Sequence, residues 1–206
     1  MNFGKKIVAI AAGAALVVGA GLAAAPAQAK IDVKQSFTTI SFKKDLVSGL
    51  EAQGIQISAQ APATWNSAKA EIRFPVTKVT AEGISHAGGI TFTKGGNPLT
   101  VTNPYIPTPP SVTELNVLVT SALGEIPLLV LKNIKGTTTC KVTGKGKKWT
   151  KTDTIRNQAN VHLTSDPTVV ATLQGLLSPA FTADLGLGEG RITLSDVTKS
   201  SKKPKC

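Results

Sequence analysis

Side chains that ligate metals or act as nucleophiles are scarce in this chain. Its 206 residues include two His, two Cys, one Met and one Tyr. There is no Gly-x-Ser-x-Gly elbow, so a serine hydrolase signature is missing. The carboxylates are few and scattered, so their spacing indicates neither a glycosidase pair nor a metal-ligand cluster. We therefore expect a protein that is not an enzyme and that uses no cofactor or metal.

Long apolar runs are also missing, except at the N-terminus, where Ile7 to Ala25 follow two lysines. The run leads into Ala27-Gln28-Ala29, the small-x-small pattern that signal peptidase cuts after. A retained transmembrane helix is the alternative, because a span needs about 20 apolar residues. The cleavage pattern favours removal. We expect residues 1–29 to be a signal peptide and the secreted mature chain to begin at Lys30, with no later membrane span.

The remaining residues, 30–206, are rich in Thr, Val, Ile, Leu and Gly, which favours strands because β-branched side chains pack well on a pleated surface. Apolar residues alternate with polar ones in several short segments separated by turn signals. Helical spacing occurs after Asp45 and again after Pro167, where either Ser165 or Asp166 can cap the helix. The pattern predicts a single mainly β domain, an antiparallel β-sandwich-like fold with one or two short helices.

Four local patterns lead to specific predictions. Ile31 to Lys34 alternates like an extended segment, and Asp45 is a candidate cap of the first helix. The prolines Pro104, Pro107, Pro109 and Pro110 predict a stiff connection rather than a strand. The polar, glycine-containing segment from Lys135 to Lys151 predicts a long turn or a strongly exposed hairpin.

The only two cysteines are Cys140 and Cys206. In an exported protein an even number of cysteines favours pairing, so we predict one intrachain disulfide bond. The bond would hold the C-terminal tail, which ends at Cys206. A free or intermolecular thiol at the terminus is the alternative.

Basic residues outnumber acidic ones, and the mature chain carries 21 basic and 12 acidic side chains. The lysines concentrate in two segments, which are the loop around Trp149 and the C-terminal tail. The predicted polyanion-binding residues are Lys141, Lys145, Lys147, Lys148, Trp149, Lys151, Lys199, Lys202, Lys203 and Lys205. Such a patch attracts anionic cell-wall polymers or lipid head groups. The alternative is a solvated surface that keeps the protein soluble. A single aromatic residue among the lysines argues against specific nucleic-acid recognition.

The order of several motifs resembles a domain of secreted actinobacterial cell-envelope proteins. The motifs are Leu50 to Ile57, Phe74-Pro75-Val76-Thr77, Gly83 to Ile90, Leu99 to Ile106, and Leu173 to Leu194 with Phe181 and Leu185-Gly-Leu-Gly. The resemblance covers most of residues 42–197. It implies a β-rich domain of the cell envelope.

More distantly, the chain is similar to the HtaA-type haem-binding domain. Val33 to Ile40 looks like that domain's opening motif, and Gly89 to Gly96 looks like its glycine-rich strand and turn. The family places a Tyr ligand near the first motif and a His near the second. The matching positions here carry Thr39 and either Lys94 or Gly95.

This resemblance implies the fold and, as an alternative function, a haem- or small-ligand-binding module. Tyr105 and His86 are the residues that could ligate haem in that case. Because Thr39 stands where a Tyr is expected, we predict no tight hemin binding. A structural role for His86 at a turn or strand end is the alternative to ligation. The function we expect from the sequence is that of a non-catalytic, secreted β-domain of the cell envelope or the extracellular medium, with a lysine-rich patch for anionic envelope polymers.

Overall fold

The computed structural model describes residues 31–80, 82–107, 114–121 and 124–206. The predicted signal peptide, Pro109 and Pro110 lie outside these residues. The described residues form eleven strands: β1 Phe37–Phe42, β2 Ile55–Gln60, β3 Thr64–Asn66, β4 Glu71–Val79, β5 Gly83–His86, β6 Gly89–Lys94, β7 Asn97–Pro107, β8 Leu115–Ser121, β9 Gly124–Lys145, β10 Lys148–Leu163 and β11 Gly186–Ser200. They also form two α-helices, α1 Lys44–Ala52 and α2 Pro167–Leu176.

All the strands belong to one antiparallel sheet, in the order β2-β6-β7-β5-β4-β1-β11-β10-β9-β8, with β3 paired to β4. The strand β8 also pairs with β7, through Thr102 with Thr120 and Tyr105 with Leu118. The sheet therefore curls until it meets itself, and its two halves face each other across the interior. The prediction of a mainly β, antiparallel, sandwich-like fold with one or two short helices is confirmed, and the described residues form two.

Alternation of side chains builds the core. Along β4, Ile72, Phe74 and Val76 point inward and are buried, while the residues between them are not. The two helices add their apolar faces to the same core, through Leu50 of α1 and Leu173 of α2. Helix α2 begins as its sequence predicts, because the Asp166 carboxylate accepts bonds from two backbone N–H groups of the first turn.

Three local predictions are wrong or incomplete. Residues Val33–Gln35 form a 3-10 turn capped by the Asp32 carboxylate rather than an extended segment. Helix α1 is preceded by Lys43, which makes no side-chain cap, and Asp45 lies within the first turn. Strand β7 continues through Pro104 to Pro107, and Pro104 lies where β7 shifts register against β8, between residues 102 and 105.

The segment predicted as a turn or an exposed hairpin is a hairpin. The pairing of β9 with β10 begins beside the turn, at Lys145 and Lys148, and continues into the core. On the other side of β10, strand β11 pairs with it as far as Ser200. Gly146, at a φ of 62°, occupies the two-residue turn. Among the described residues, no helix combines the length and apolar character that a membrane span requires.

Candidate functional sites: a lysine ribbon and an apolar interior

The outer part of β9, β10 and β11 extends beyond the core as a three-stranded ribbon. We call residues 136–155 and 196–206 the lysine ribbon. None of these residues is buried except Asp196. The ribbon therefore keeps its shape through the backbone ladder between its strands rather than through a hydrophobic core of its own.

A disulfide bond joins the tail to the ribbon. Cys140 and Cys206 are bonded, with Cα atoms 5.7 Å apart, as predicted from their being the only pair. The tail must turn back after Ser200, which pairs with Trp149, in order to reach Cys140. On its way the Lys203 ammonium lies 5.5 Å from the centre of the Trp149 ring. The two lysine groups that are separate in the sequence thus share one structural unit.

Lysines occupy both faces of the ribbon. The strand register places Lys141, Lys145, Lys148 and Lys199 on one face. Trp149 and Lys151 lie on the other face, which the tail with Lys203 approaches. The remaining predicted residues are exposed in the turn, at Lys147, and in the tail, at Lys202 and Lys205. The positive charge therefore surrounds the end of the ribbon instead of forming one flat patch.

Few acidic groups balance this charge. Nine of the 21 basic residues that follow residue 29 lie in the ribbon, against two acidic side chains, so the rest of residues 30–206 holds 12 basic and 10 acidic residues. Among the described residues, Lys151 alone of the nine has a carboxylate within ion-pair distance, at 3.1 Å from Asp153. The net charge of the protein is thus concentrated at one end of the molecule.

The two acidic residues of the ribbon are cross-strand neighbours. Asp153 pairs with Asp196 on one side and with Cys140 on the other. Burial raises the pKa of the Asp196 carboxyl, and the nearby Asp153 charge raises it further, while Lys151 opposes the change. The sequence contains no signal for this pair, because register alone brings residues 153 and 196 together.

The second candidate site is the apolar interior, a cavity of about 80 Å³. Its walls come from strands of both halves of the sheet and from both helices. Leu50 of α1 and Leu173 of α2 are among the lining residues, and so is Leu177, which follows α2. His86 and Asn157 also line it, and no lining residue within the described part of the chain is charged. The interior is therefore suited to uncharged, apolar contents.

His86 sits in the wall of this cavity with 4% of its surface exposed. Its Nδ1 lies 2.8 Å from the Pro104 carbonyl oxygen, and its Nε2 lies 2.7 Å from the Thr38 hydroxyl. Because a carbonyl only accepts, Nδ1 carries the proton and Nε2 accepts from Thr38. Burial lowers the pKa of His86 to about 4, although the bond to Pro104 opposes this change. His86 is thus neutral, and both of its ring nitrogens are engaged.

The other residues considered as haem ligands lie elsewhere. Tyr105 is half-buried and pairs with Ser85 on β5, whereas its neighbours Pro104 and Ile106 line the cavity, so its side chain is on the opposite face of the sheet from His86. Its hydroxyl packs over Gly83, where an added Cβ would lie 2.6 Å from the oxygen. Thr39 also faces away from the cavity, which Thr38 and Ile40 line. The fold does not bring these residues together.

The second histidine belongs to a surface charge cluster. His162 lies 3.1 Å from a carboxylate oxygen of Asp184, and Lys132 lies 2.8 Å from the same oxygen. The hydrogen bond from Lys132 lowers the pKa of Asp184, and the same bond raises the pKa of Lys132. Among the described residues no group of three or more His, Cys, Asp or Glu residues is arranged to hold a metal ion.

Two solved structures have a similar fold. One is the haem-binding protein HtaB from Corynebacterium glutamicum, with a TM-score of 0.52 and 14% identity over 80% of this chain and 94% of that one. The other is the C-terminal domain of HtaA from the same organism, with a TM-score of 0.50 and 12% identity over 80% of this chain and 99% of that one. No protein-family model and no curated protein sequence matches the chain. The distant HtaA-type resemblance is confirmed at the level of the fold.

Proposed function

We propose that this protein is a secreted, non-catalytic binding module that attaches to anionic polymers of the cell envelope through the lysine ribbon. The observation that carries the proposal is the concentration of nine lysines against two carboxylates in a ribbon that projects from the core. The intrachain disulfide supports an extracellular location, because such bonds persist in oxidising compartments.

The geometry suits a flexible polyanion better than a compact ligand. Lysines on both faces of the ribbon allow a chain of phosphate or carboxylate groups to contact it from either side. Each exposed ammonium acts weakly alone, because salt screens it over about 8 Å at physiological ionic strength. Several together give attraction that depends steeply on salt.

The first prediction is that the protein is retained on heparin resin, and on cell walls that bear teichoic acid, and that retention falls steeply with salt. Replacing Lys145, Lys147, Lys148, Lys202, Lys203 and Lys205 with Gln should move elution to a much lower salt concentration. The matched control replaces six exposed lysines outside the ribbon, Lys34, Lys43, Lys44, Lys69, Lys78 and Lys135, and changes the net charge equally. If the elution salt concentration shifts equally in the two variants, the ribbon is only a solvated surface.

Haem binding is the second candidate function, because the similar structure of HtaB is that of a haem-binding protein. The residues of this chain do not fit haem. Both nitrogens of His86 are engaged, Tyr105 lies on the other face of the sheet, and Thr39 offers no phenolate. The cavity of about 80 Å³ is also far below the roughly 300–1,000 Å³ of pockets for larger ligands.

The second prediction is therefore that hemin does not bind tightly. Titration of the protein with hemin should leave the absorbance near 400 nm broad, as for free hemin. HtaB titrated under the same conditions serves as the positive control. A sharp Soret band with sub-micromolar affinity, lost in His86→Ala or Tyr105→Phe, would establish the haem-binding function instead.

A further inference from the structure

The outer part of β9 is an edge strand. Strand β8 pairs with β9 only from Gly124 to Leu131, and the outer residues of β9 pair on one side alone, with β10. Among the described backbone hydrogen bonds, none joins residues 136–145 to the tail or to another segment. The opposite edge of the ribbon is partly covered, because Ile31 forms a bridge with Asp196 of β11. Within the described part of the chain, β9 therefore offers the longer open edge.

The hairpin turn determines which backbone groups of β9 face outward. Lys145 and Lys148 flank the two-residue turn and pair with each other, so they exchange backbone hydrogen bonds. Bonded and non-bonded pairs then alternate along the ladder. The register shift of this pairing lies between Gln158 and Asn160, outside the ribbon. The N–H and C=O groups that point away from β10 therefore belong to Gly136, Thr138, Cys140, Val142 and Gly144.

The side chains beside this edge decide which strand can pair with it. Lys141 and Lys145 lie on one face of β9, with threonines at the alternate positions between and before them. Both lysines are exposed, and no described carboxylate lies within ion-pair distance of either. A second copy of the chain would bring its own lysines to the same edge, and like charges opposite each other destabilise a sheet. The edge therefore disfavours a second copy and suits a strand with acidic side chains.

We propose that the open edge of β9 binds an extended acidic segment of another protein, which adds to the ribbon as a fourth strand. Backbone hydrogen bonds dock the segment, and two acidic side chains four positions apart face Lys141 and Lys145. Opposed residues of an antiparallel pair have Cβ atoms about 5 Å apart, so a Glu reaches each ammonium group. The inference goes beyond attachment to envelope polymers, because a backbone edge recognises a polypeptide. Either function can fail without the other.

The probe is the peptide acetyl-Glu-Val-Thr-Val-Glu-Val-Thr-amide, whose two Glu residues fall opposite Lys145 and Lys141 in antiparallel pairing. Amide hydrogen exchange followed by NMR reports the pairing. In the free protein the amide of Lys141 should exchange slowly, because it bonds to β10, and those of Cys140 and Val142 should exchange fast. Saturation with the peptide should slow exchange at Cys140 and Val142 by at least about 10-fold, because their N–H groups become bonded.

Altered peptides separate strand pairing from attraction between charges. N-methylation of the Val residues removes the N–H groups that face β9 and should abolish binding. N-methylation of the Glu and Thr residues, whose N–H groups face away from β9, should leave binding in place. Replacing both Glu residues with Lys should abolish it, since the charges then repel.

In the protein, Lys141→Gln combined with Lys145→Gln should weaken peptide binding about 2- to 30-fold. The matched control, Lys148→Gln with Lys199→Gln, removes the same charge from the same face, on β10 and β11, and should weaken it less. The proposal is overturned if exchange at Cys140 and Val142 stays fast, or if the peptide methylated at Val binds as tightly as the unmodified one. Protection that rises with protein concentration in the absence of peptide would assign the edge to a second copy instead.

Discussion

The inner and outer parts of β9, β10 and β11 are held together by different forces, although the strands run through both without a break. In the inner part, Leu131, Val161 and Leu194 are buried in the common core. In the outer part, residues 136–155 contain no buried side chain. The same backbone ladder continues along both parts, so hydrogen bonding between strands does not depend on the side chains being buried.

The comparison shows which contacts are present in a ribbon of exposed, charged strands outside the core: the backbone ladder and those made by the C-terminal tail. A ribbon whose two faces meet water is marginal by itself. Here the Cys140–Cys206 bond and the contact of Lys203 with Trp149 hold the tail on the ribbon. Buried apolar side chains are concentrated in the inner part and positive charge in the outer part. Three further predictions test this division, ordered from the largest expected effect.

Truncation should be costly in the inner part and nearly neutral in the outer one. Leu194→Ala, at a residue with 0% exposure, should lower the free energy of unfolding by about 2–5 kcal/mol through lost burial and a cavity. Thr152→Ala in the ribbon should change it by less than about 0.5 kcal/mol. Urea unfolding of both variants gives the comparison. Similar losses of unfolding free energy in the two variants would mean that side chains of the ribbon stabilise the protein as much as those of the core.

The disulfide should matter more to the whole fold than its place in the outer part suggests. Replacing both Cys140 and Cys206 with Ser removes a bond between residues that are 66 positions apart in the sequence. The segment that this bond closes includes β10, α2 and β11. We expect a loss of about 2–4 kcal/mol, because the unfolded chain regains conformational freedom. Thermal unfolding with and without a reductant measures it in the wild type as well. An unchanged melting temperature would confine the bond's role to holding the tail.

Acid should destabilise the core, to which the inner part belongs, through His86 on β5. Its pKa is about 4 in the folded protein and near 6.5 in the unfolded chain. Because the unfolded state binds the proton more readily, stability falls as the pH drops from 6.5 to about 4, by about 3 kcal/mol. His86→Gln should remove this part of the pH dependence in urea unfolding measured at several pH values. A variant with the same slope as the wild type would show that other groups cause the acid sensitivity.

Several elements could be predicted because their signals are local. The alternation of Ile72, Phe74 and Val76 placed one face of β4 inward, and Asp166-Pro167 marked the start of α2. The exposed hairpin after Lys135 followed from its polar residues and glycines. Other predictions were wrong because pairing with neighbouring strands outweighed the local conformational preference of the residues. Pro104 is accommodated at a register shift between β7 and β8, and this shift cannot be seen in the sequence of either strand alone.

The sequence by itself determined the mainly β class, the pairing of the only two cysteines, and the excess of lysine in two short segments. These depend on composition, on period-two alternation and on counting, all of which are local or additive. Tertiary structure decided where these features meet. It closed the sheet through β7 and β8, set Lys203 over Trp149, and engaged both nitrogens of His86 with Thr38 and Pro104. Register and curvature bring together residues that are far apart in the chain, and these contacts depend on the complete set of strand pairings.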